Sequence, residues 1–219
     1  MTELLKLPAL ENKREEIIKD LETSARRLTR LITDILDFST LETPKVAAHC
    51  STVRIDDLLA QIDYLTVCRD EYNINFEIDV SDDVPKEMSF DEKSTLKVIE
   101  CLIDNAFKFT REGNVKLNIN FNRASEEEGK LYITISDDGP GIQEDLLEKV
   151  FEKFYQIDSG LDRRYEGSGI GLAIAQKLAF AMNGLIRVES KVNGGSTFSF
   201  EVTVSSISDM TVVNDLKKI

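Results

Sequence analysis

Apolar residues recur at Ile18, Leu21, Ala25, Leu28, Ile32 and Ile35, spaced alternately three and four apart, and this heptad seam predicts a helix from Arg14 to Leu41. A second apolar row, Ile17, Leu31 and Phe38, widens the stripe beyond a two-stranded seam and suits a helical hairpin or four-helix bundle. Lys19, Asp20, Glu22, Arg26, Arg27 and Arg30 make the polar face. One helix cannot bury such a stripe alone, so self-association or docking on a partner helix is expected, with packing on its own domain as the alternative. Pro44, in Glu42-Thr43-Pro44-Lys45, stops the helix because proline lacks the N–H and disfavours helical geometry before it.

Downstream the period shortens. Val53 and Ile55 predict a short strand, Asp56 to Arg69 a helix, and Ile74 to Val80 alternates as a half-buried strand. Another short strand follows Pro85, and Ser94 to Phe109 reads as helix. Val115 to Phe121 and Leu131 to Ile135 read as strands joined by a charged turn, Ala124 to Gly129. Ser168 to Met182 predicts a helix, and Leu185 to Ser190 with Ser196 to Val204 a hairpin turned at Asn193-Gly194-Gly195. Together these imply an α/β (α+β) two-layer sandwich, a mixed sheet with helices on one face, preceded by one long bundle-forming helix. The expected division is a partial helical hairpin over residues 1–43, a main domain over 44–205 and a polar tail over 206–219.

Charge narrows the function classes. Lys and Arg number 27 against 40 Asp and Glu, giving a net charge of −13 that repels nucleic acid and anionic lipid. An anionic ligand would need a defined pocket of local cations, backbone amides or a metal. Cys50, Cys68 and Cys101 stand far apart with no CxxC pair, which supports neither a disulfide framework nor a zinc site and fits a reducing cytoplasm. No run approaches the ~20 apolar residues of a membrane span, so no membrane contact by this segment is expected, although a parent protein could be anchored upstream.

Three segments carry candidate chemistry. In Asp137-Asp138-Gly139-Pro140-Gly141-Ile142 a strand runs into an acidic pair and two glycines; a carboxylate there can accept from an exocyclic amine, while ordinary turn chemistry explains the glycines equally well. Gly167-Ser168-Gly169-Ile170-Gly171-Leu172 opens a helix and leaves amides free for phosphate oxygens. On the preceding helix, Asn105 offers a neutral oxygen to Mg²⁺ and Lys108, one turn on, a point charge to a phosphate; the alternative is a solvated helix face.

Their order resembles the ATPase superfamily of histidine kinases, type II topoisomerases, Hsp90 chaperones and mismatch-repair proteins. Asn105-Ala106-Phe107-Lys108-Phe109-Thr110 is similar to the asparagine box, and the segments from Asp137 and Gly167 to the two glycine boxes. Val150-Phe151-Glu152-Lys153-Phe154-Tyr155 resembles the phenylalanine box of histidine kinases, and Gly194-Gly195-Ser196-Thr197-Phe198 their closing glycine-threonine element. Ala25 to Ser39 looks like the second helix of the dimerisation hairpin.

That resemblance implies a sensor histidine kinase catalytic domain that binds ATP and Mg²⁺ and transfers the γ-phosphoryl group to a histidine. It places Asp137 on the adenine amine with Gly139, Gly141, Ile142 and Thr197 beside it, Asn105 on Mg²⁺ and Lys108 on the phosphates. Tyr155 to Glu166, containing Arg163 and Arg164, is by that resemblance the mobile lid over ATP, tethered by Phe151 and Phe154 and followed by the phosphate-binding Gly167, Ser168, Gly169, Gly171 and Leu172; a solvated loop is the alternative for the arginines. A homodimer through residues 14–41 and a response regulator receiver domain are the implied partners.

Two departures qualify this. The single histidine, His49, lies after the hairpin helix, followed by Cys50-Ser51 with no adjacent acid, so the phospho-acceptor is expected to be missing and the chain unable to phosphorylate itself. Cys101 stands one turn before Asn105, where relatives usually carry a second asparagine, and thiol is a poor Mg²⁺ ligand. A catalytically weak regulatory or dimerisation module is therefore the first rival reading, and a serine kinase of the anti-sigma type the second.

Overall fold

The computed structural model describes residues 14–40, 49–67, 74–157 and 169–208. Among them α1 spans Arg14–Thr40, β1 Ser51–Arg54, α2 Ile55–Val67, β2 Ile74–Val80, β3 Glu87–Phe90 and α3 Glu92–Phe109. Then come β4 Gly113–Arg123, β5 Glu128–Asp137, two 3₁₀ turns at Glu144–Leu146 and Lys149–Phe151, α4 Gly171–Ala181, β6 Leu185–Ser190 and β7 Ser196–Ser208.

The strands form one seven-stranded sheet in the order β1-β3-β7-β5-β4-β2, with β6 also pairing β7. The β2–β4 pair is parallel and the others antiparallel, which makes the expected mixed sheet. Strand alternation sends Val115, Leu117 and Ile119 of β4, Leu131, Ile133 and Ile135 of β5, and Phe198, Phe200 and Val202 of β7 into one core. Leu58 and Ile62 of α2, Leu102, Ile103 and Ala106 of α3, and Ile174 and Ala175 of α4 meet them there, all buried. Polar residues such as Lys116, Asn118, Thr134 and Ser199 occupy the alternate positions, so one sheet face holds the core.

Several boundaries differ from the sequence reading by a few residues, three of them for a clear local reason. Ile55 starts α2 instead of ending a strand: its N–H donates to Lys86 O at 2.9 Å, and Asp56 and Asp57 follow in the first turn, where a helix favours acids. The last helix begins at Gly171 and not near Ser168, because Gly169 holds φ +66°, outside right-handed helical geometry. β7 runs on to Ser208, past the expected start of the polar tail at 206, with Ser205 and Ser208 pairing with Ser89 and Glu87 of β3. The expected stop around Pro44 and the residues after 208 lie outside the described residues.

α1 keeps much of its seam in solvent, with Leu28 59% and Ile32 50% exposed. Asp91, which is buried, ties His49, just before β1, to the start of α3, using its two carboxylate oxygens in opposite directions. Oδ1 accepts from Ser94 N–H at 3.0 Å and caps α3; Oδ2 accepts from His49 N–H at 3.0 Å. The β1–β3 ladder ends at the pair Ser51↔Phe90, and beyond it the backbone of residues 92 onward turns into α3. The carboxylate supplies the acceptor that a continuing strand would have offered. Asp91→Ala is expected to cost about 1–2 kcal/mol in denaturant unfolding through the lost cap, whereas Asp91→Asn, which retains one acceptor oxygen for the cap, should cost less and expose the His49 amide to faster hydrogen exchange.

Candidate functional site

The end of β5 and the start of β7 face each other, with Asp137 opposite Ser196 and Ser136 opposite Thr197. Asp137 is 7% exposed. Its Oδ1 accepts from Gly139 N–H at 2.9 Å, and the backbone amide of Ser196, its partner across the ladder, also favours the charged carboxylate. Asp138 turns the other way: it is exposed, and its Oδ2 accepts from the backbone N–H and the Nδ2 of Asn114 at 2.8 and 2.9 Å. One acid of the pair thus ties the turn to β4, and the other is the inward carboxylate. Thr197 Oγ1 lies 3.1 Å from Ser136 Oγ beside it.

The glycines of this region are needed for backbone approach. A Cβ on Gly141, at φ +72°, would stand 2.0 Å from Lys191 O, and one on Gly195, at φ +74°, 1.9 Å from Asp137 O. At Gly139 it would meet Asp137 Oδ1 at 2.6 Å and Phe109 O at 3.2 Å, which also shows that the end of α3 abuts this loop. Asn105 and Lys108 sit on that helix, both half-buried, with Cys101 one turn before Asn105 on the same face. The Lys108 ammonium rests 4.7 Å above the Phe109 ring.

The second glycine segment behaves differently. A Cβ on Gly171 would meet nothing within 4 Å, and α4 starts there without a side-chain cap. Its first amides are therefore not claimed by a capping side chain. Gly169 O accepts from Phe154 N–H at 2.9 Å, with Phe154 itself at φ 61°. The Phe151 ring meets Phe198, next to Thr197, edge-on at 6.4 Å, so the phenylalanine segment is anchored on the strand that carries Thr197. Phe154 lines a small apolar cleft with Lys153, Ile170 and Ile35 of α1, and Tyr155 is half-buried. Arg163, Arg164, Gly167 and Ser168 lie outside the described residues. The geometry thus gathers Asp137, Gly139, Gly141, Ile142 and Thr197, brings the end of α3 to them, and joins Phe154 to Gly169. Asn114, Ser190 and Ser196, which support this arrangement, went unremarked in the sequence because single serines and asparagines carry no spacing signal.

The family described as histidine kinase-, DNA gyrase B-, and HSP90-like ATPase matches residues 90–206, more than half of the 219. The chain belongs to that family. It is 31% identical over 207 residues to the sensory/regulatory protein RpfC of Xanthomonas campestris pv. campestris, covering 94% of this chain and 28% of RpfC. To the signal transduction histidine-protein kinase BarA of Escherichia coli it is 31% identical over 188 residues, 85% of this chain and 20% of BarA. The crystal structure of full-length ShkA in complex with AMPPNP superposes with a TM-score of 0.76 at 28% identity, covering 90% of this chain and 40% of that one. The chain therefore spans well under half the length of each of these relatives. What it carries is the ATP-binding catalytic domain of the histidine kinase type.

The donor set of this ATPase-family domain fits a nucleotide. Burial pushes the Asp137 carboxyl up from 3.8 to about 6, with Asp138 adding repulsion and the Gly139 and Ser196 amides opposing the rise. A buried acid in that state is stabilised by a ligand amine that donates to it. The uncapped start of α4, opening on clear space at Gly171, suits phosphate oxygens. For a metal, no group of three or more His, Cys, Asp and Glu residues stands together among the described residues. A cation here would draw on Asn105 and the nucleotide's own phosphates, the way Mg²⁺ is commonly held.

The raised value has a stability consequence. Below 3.8 Asp137 is protonated folded or unfolded and costs nothing; between 3.8 and about 6 the unfolded chain releases the proton more readily, and above about 6 the full penalty is present. Stability contributed by this residue should fall as pH rises through that window. Unfolding free energies of nucleotide-free wild type and Asp137→Asn are expected to converge toward pH 4 and diverge toward pH 7, wild type being relatively weaker at the higher pH; parallel curves would count against the assignment.

Proposed function

We propose that this domain binds Mg-ATP and transfers its γ-phosphoryl group to a histidine other than His49. Its buried carboxylate at Asp137, set opposite the glycine-threonine turn, carries this reading. Asp137 accepts from the adenine amine, Gly139 and Gly141 let the loop lie close to the flat base, and Ile142 and Thr197 border it. Guanine presents an oxygen where adenine presents that amine, and a carboxylate repels it.

Asn105 holds Mg²⁺ and Lys108 moves from its ring contact to a phosphate. The ion, once bound, neutralises charge that develops on the phosphoryl oxygens. Cys101, on the same face one turn earlier, adds no hard oxygen, which leaves Asn105 as the side-chain ligand of this helix. The α4 amides from Gly171 and Leu172, with Gly167, Ser168 and Gly169 before them, cradle phosphate oxygens, and Arg163 or Arg164 supplies positive charge. Phe154 and Tyr155 anchor the near end of that segment. Support comes from the similarity to BarA, a signal transduction histidine-protein kinase, and to ShkA, whose structure is a complex with AMPPNP, an ATP analogue. A receiver domain is the partner that such kinases imply, in the cytoplasm; no described helix is long and apolar enough to cross a membrane.

α1 forms the dimer contact through residues 14–41. Its exposed row of Ile18, Leu28, Ile32 and Ile35 is the surface that a second copy covers.

Mixed with an acceptor hairpin protein and labelled Mg-ATP, the chain should yield acid-labile phosphohistidine; ATP binding without it, or acid-stable phosphate, defeats the proposal. Asp137→Asn should weaken AMPPNP binding by about tenfold to a hundredfold in calorimetry, with the melting temperature of the nucleotide-free domain no lower than that of wild type. Leu28→Glu with Ile32→Lys should lower the mass seen by light scattering while leaving nucleotide affinity unchanged, and a wild type that is already monomeric would refute the dimer.

A further inference from the structure

Ser190, at the end of β6, is half-buried and has three polar neighbours. Its Oγ lies 2.7 Å from Gly195 O, 2.8 Å from Ile142 N and 3.0 Å from Ser196 Oγ. A hydroxyl has one hydrogen, a carbonyl only accepts and an amide N–H only donates. The Ser190 proton is therefore committed to Gly195 O. Ile142 N–H donates into Ser190, and the Ser196 hydroxyl must donate as well.

The peptide that joins Gly195 to Ser196 is engaged at both ends. Its carbonyl accepts from Ser190 and from Lys191 N–H, and its N–H end belongs to Ser196, the residue paired with Asp137 across the β5–β7 ladder, whose amide favours the charged Asp137 carboxylate. Hydrogen bonds placed in series through one peptide polarise it and strengthen each other. Ser190 thus touches the first glycine loop directly, through Ile142, and the buried acid indirectly. The backbone bond from Asn193 N–H to Pro140 O at 2.7 Å joins the same two segments, so loop attachment does not rest on Ser190 alone.

We propose that Ser190 is a positioning residue for adenine recognition: one hydroxyl holds the Ile142 amide against the β6–β7 turn and, through the Gly195–Ser196 peptide, aims a strengthened N–H at Asp137. This rests on the reading of Asp137 as the acceptor of the adenine amine. The groups acting on that carboxylate are the Asp138 charge and the Gly139 and Ser196 amides. Removing the Ser190 hydroxyl weakens the Ser196 donor and disfavours the charged form of Asp137 further, so acid should defeat binding at a higher pH. A residue that merely stapled the loop would lower affinity equally at every pH.

The experiment is AMPPNP binding with Mg²⁺ by calorimetry from pH 5 to 8 for wild type, Ser190→Ala, Ser190→Thr, Ser190→Cys and Asp137→Asn. Wild-type affinity is expected to fall as pH drops through about 6. Ser190→Ala should bind about fivefold more weakly at neutral pH, the worth of one hydrogen bond, with its acid midpoint moved upward. Ser190→Thr, which keeps the hydroxyl, should restore both, and Ser190→Cys, a near-isostere with a weak donor, should fall between; the Cys variant carries the test if Ala does not fold. An unmoved midpoint in Ser190→Ala and Ser190→Cys, with or without lower affinity, overturns the proposal. If wild type shows no acid loss, or Asp137→Asn binds as well as wild type, the reading of Asp137 fails instead.

Discussion

A carboxylate buried at the end of a strand, beside a second acid and with backbone amides to favour its charge, is the constraint on which the rest of this site depends. Burial opposes its charge, so backbone amides must be brought near it: Gly139 N–H donates from its own turn, and the Ser196 amide stands opposite across the ladder. That closeness in turn requires Gly195, whose Cβ would collide with Asp137 O, and the β5–β7 register that sets Asp137 opposite Ser196. The glycines are thus explained first by main-chain crowding. Openness to a ligand is a property of Gly171, where nothing stands in the way.

Periodicity made much of this legible. Ile74 to Val80 alternates cleanly and forms a strand with those bounds, and the long α3 and the final hairpin follow from their apolar spacing. Boundaries that depend on one hydrogen bond or one backbone angle were not legible: Ile55 belongs to a helix because of a contact to Lys86, 31 positions away in the chain, and the left-handed Gly169 delays α4. At the site, order and spacing exposed Asp137, Asn105 and the glycines. Ser190, Ser196 and Asn114 stayed hidden because their roles arise only when the turns of β4, β6 and β7 are brought together. The sequence also could not say which member of the Asp137–Asp138 pair faces inward by charge alone; exposure decides it.

α1 and the sheet domain meet at two different kinds of contact. Asp91 fastens the chain just after the connection, at the N-terminus of the helix that bears Asn105, whereas Ile35 touches the Phe154 and Ile170 cleft at the entry to α4. The first is directional and polar, the second apolar.

The hydrogen bond between Phe154 and Gly169, each in a left-handed backbone conformation, pins two points of the chain that are fifteen positions apart. A substitution that disturbs either backbone conformation therefore displaces the end of the phenylalanine segment and the approach to α4 together.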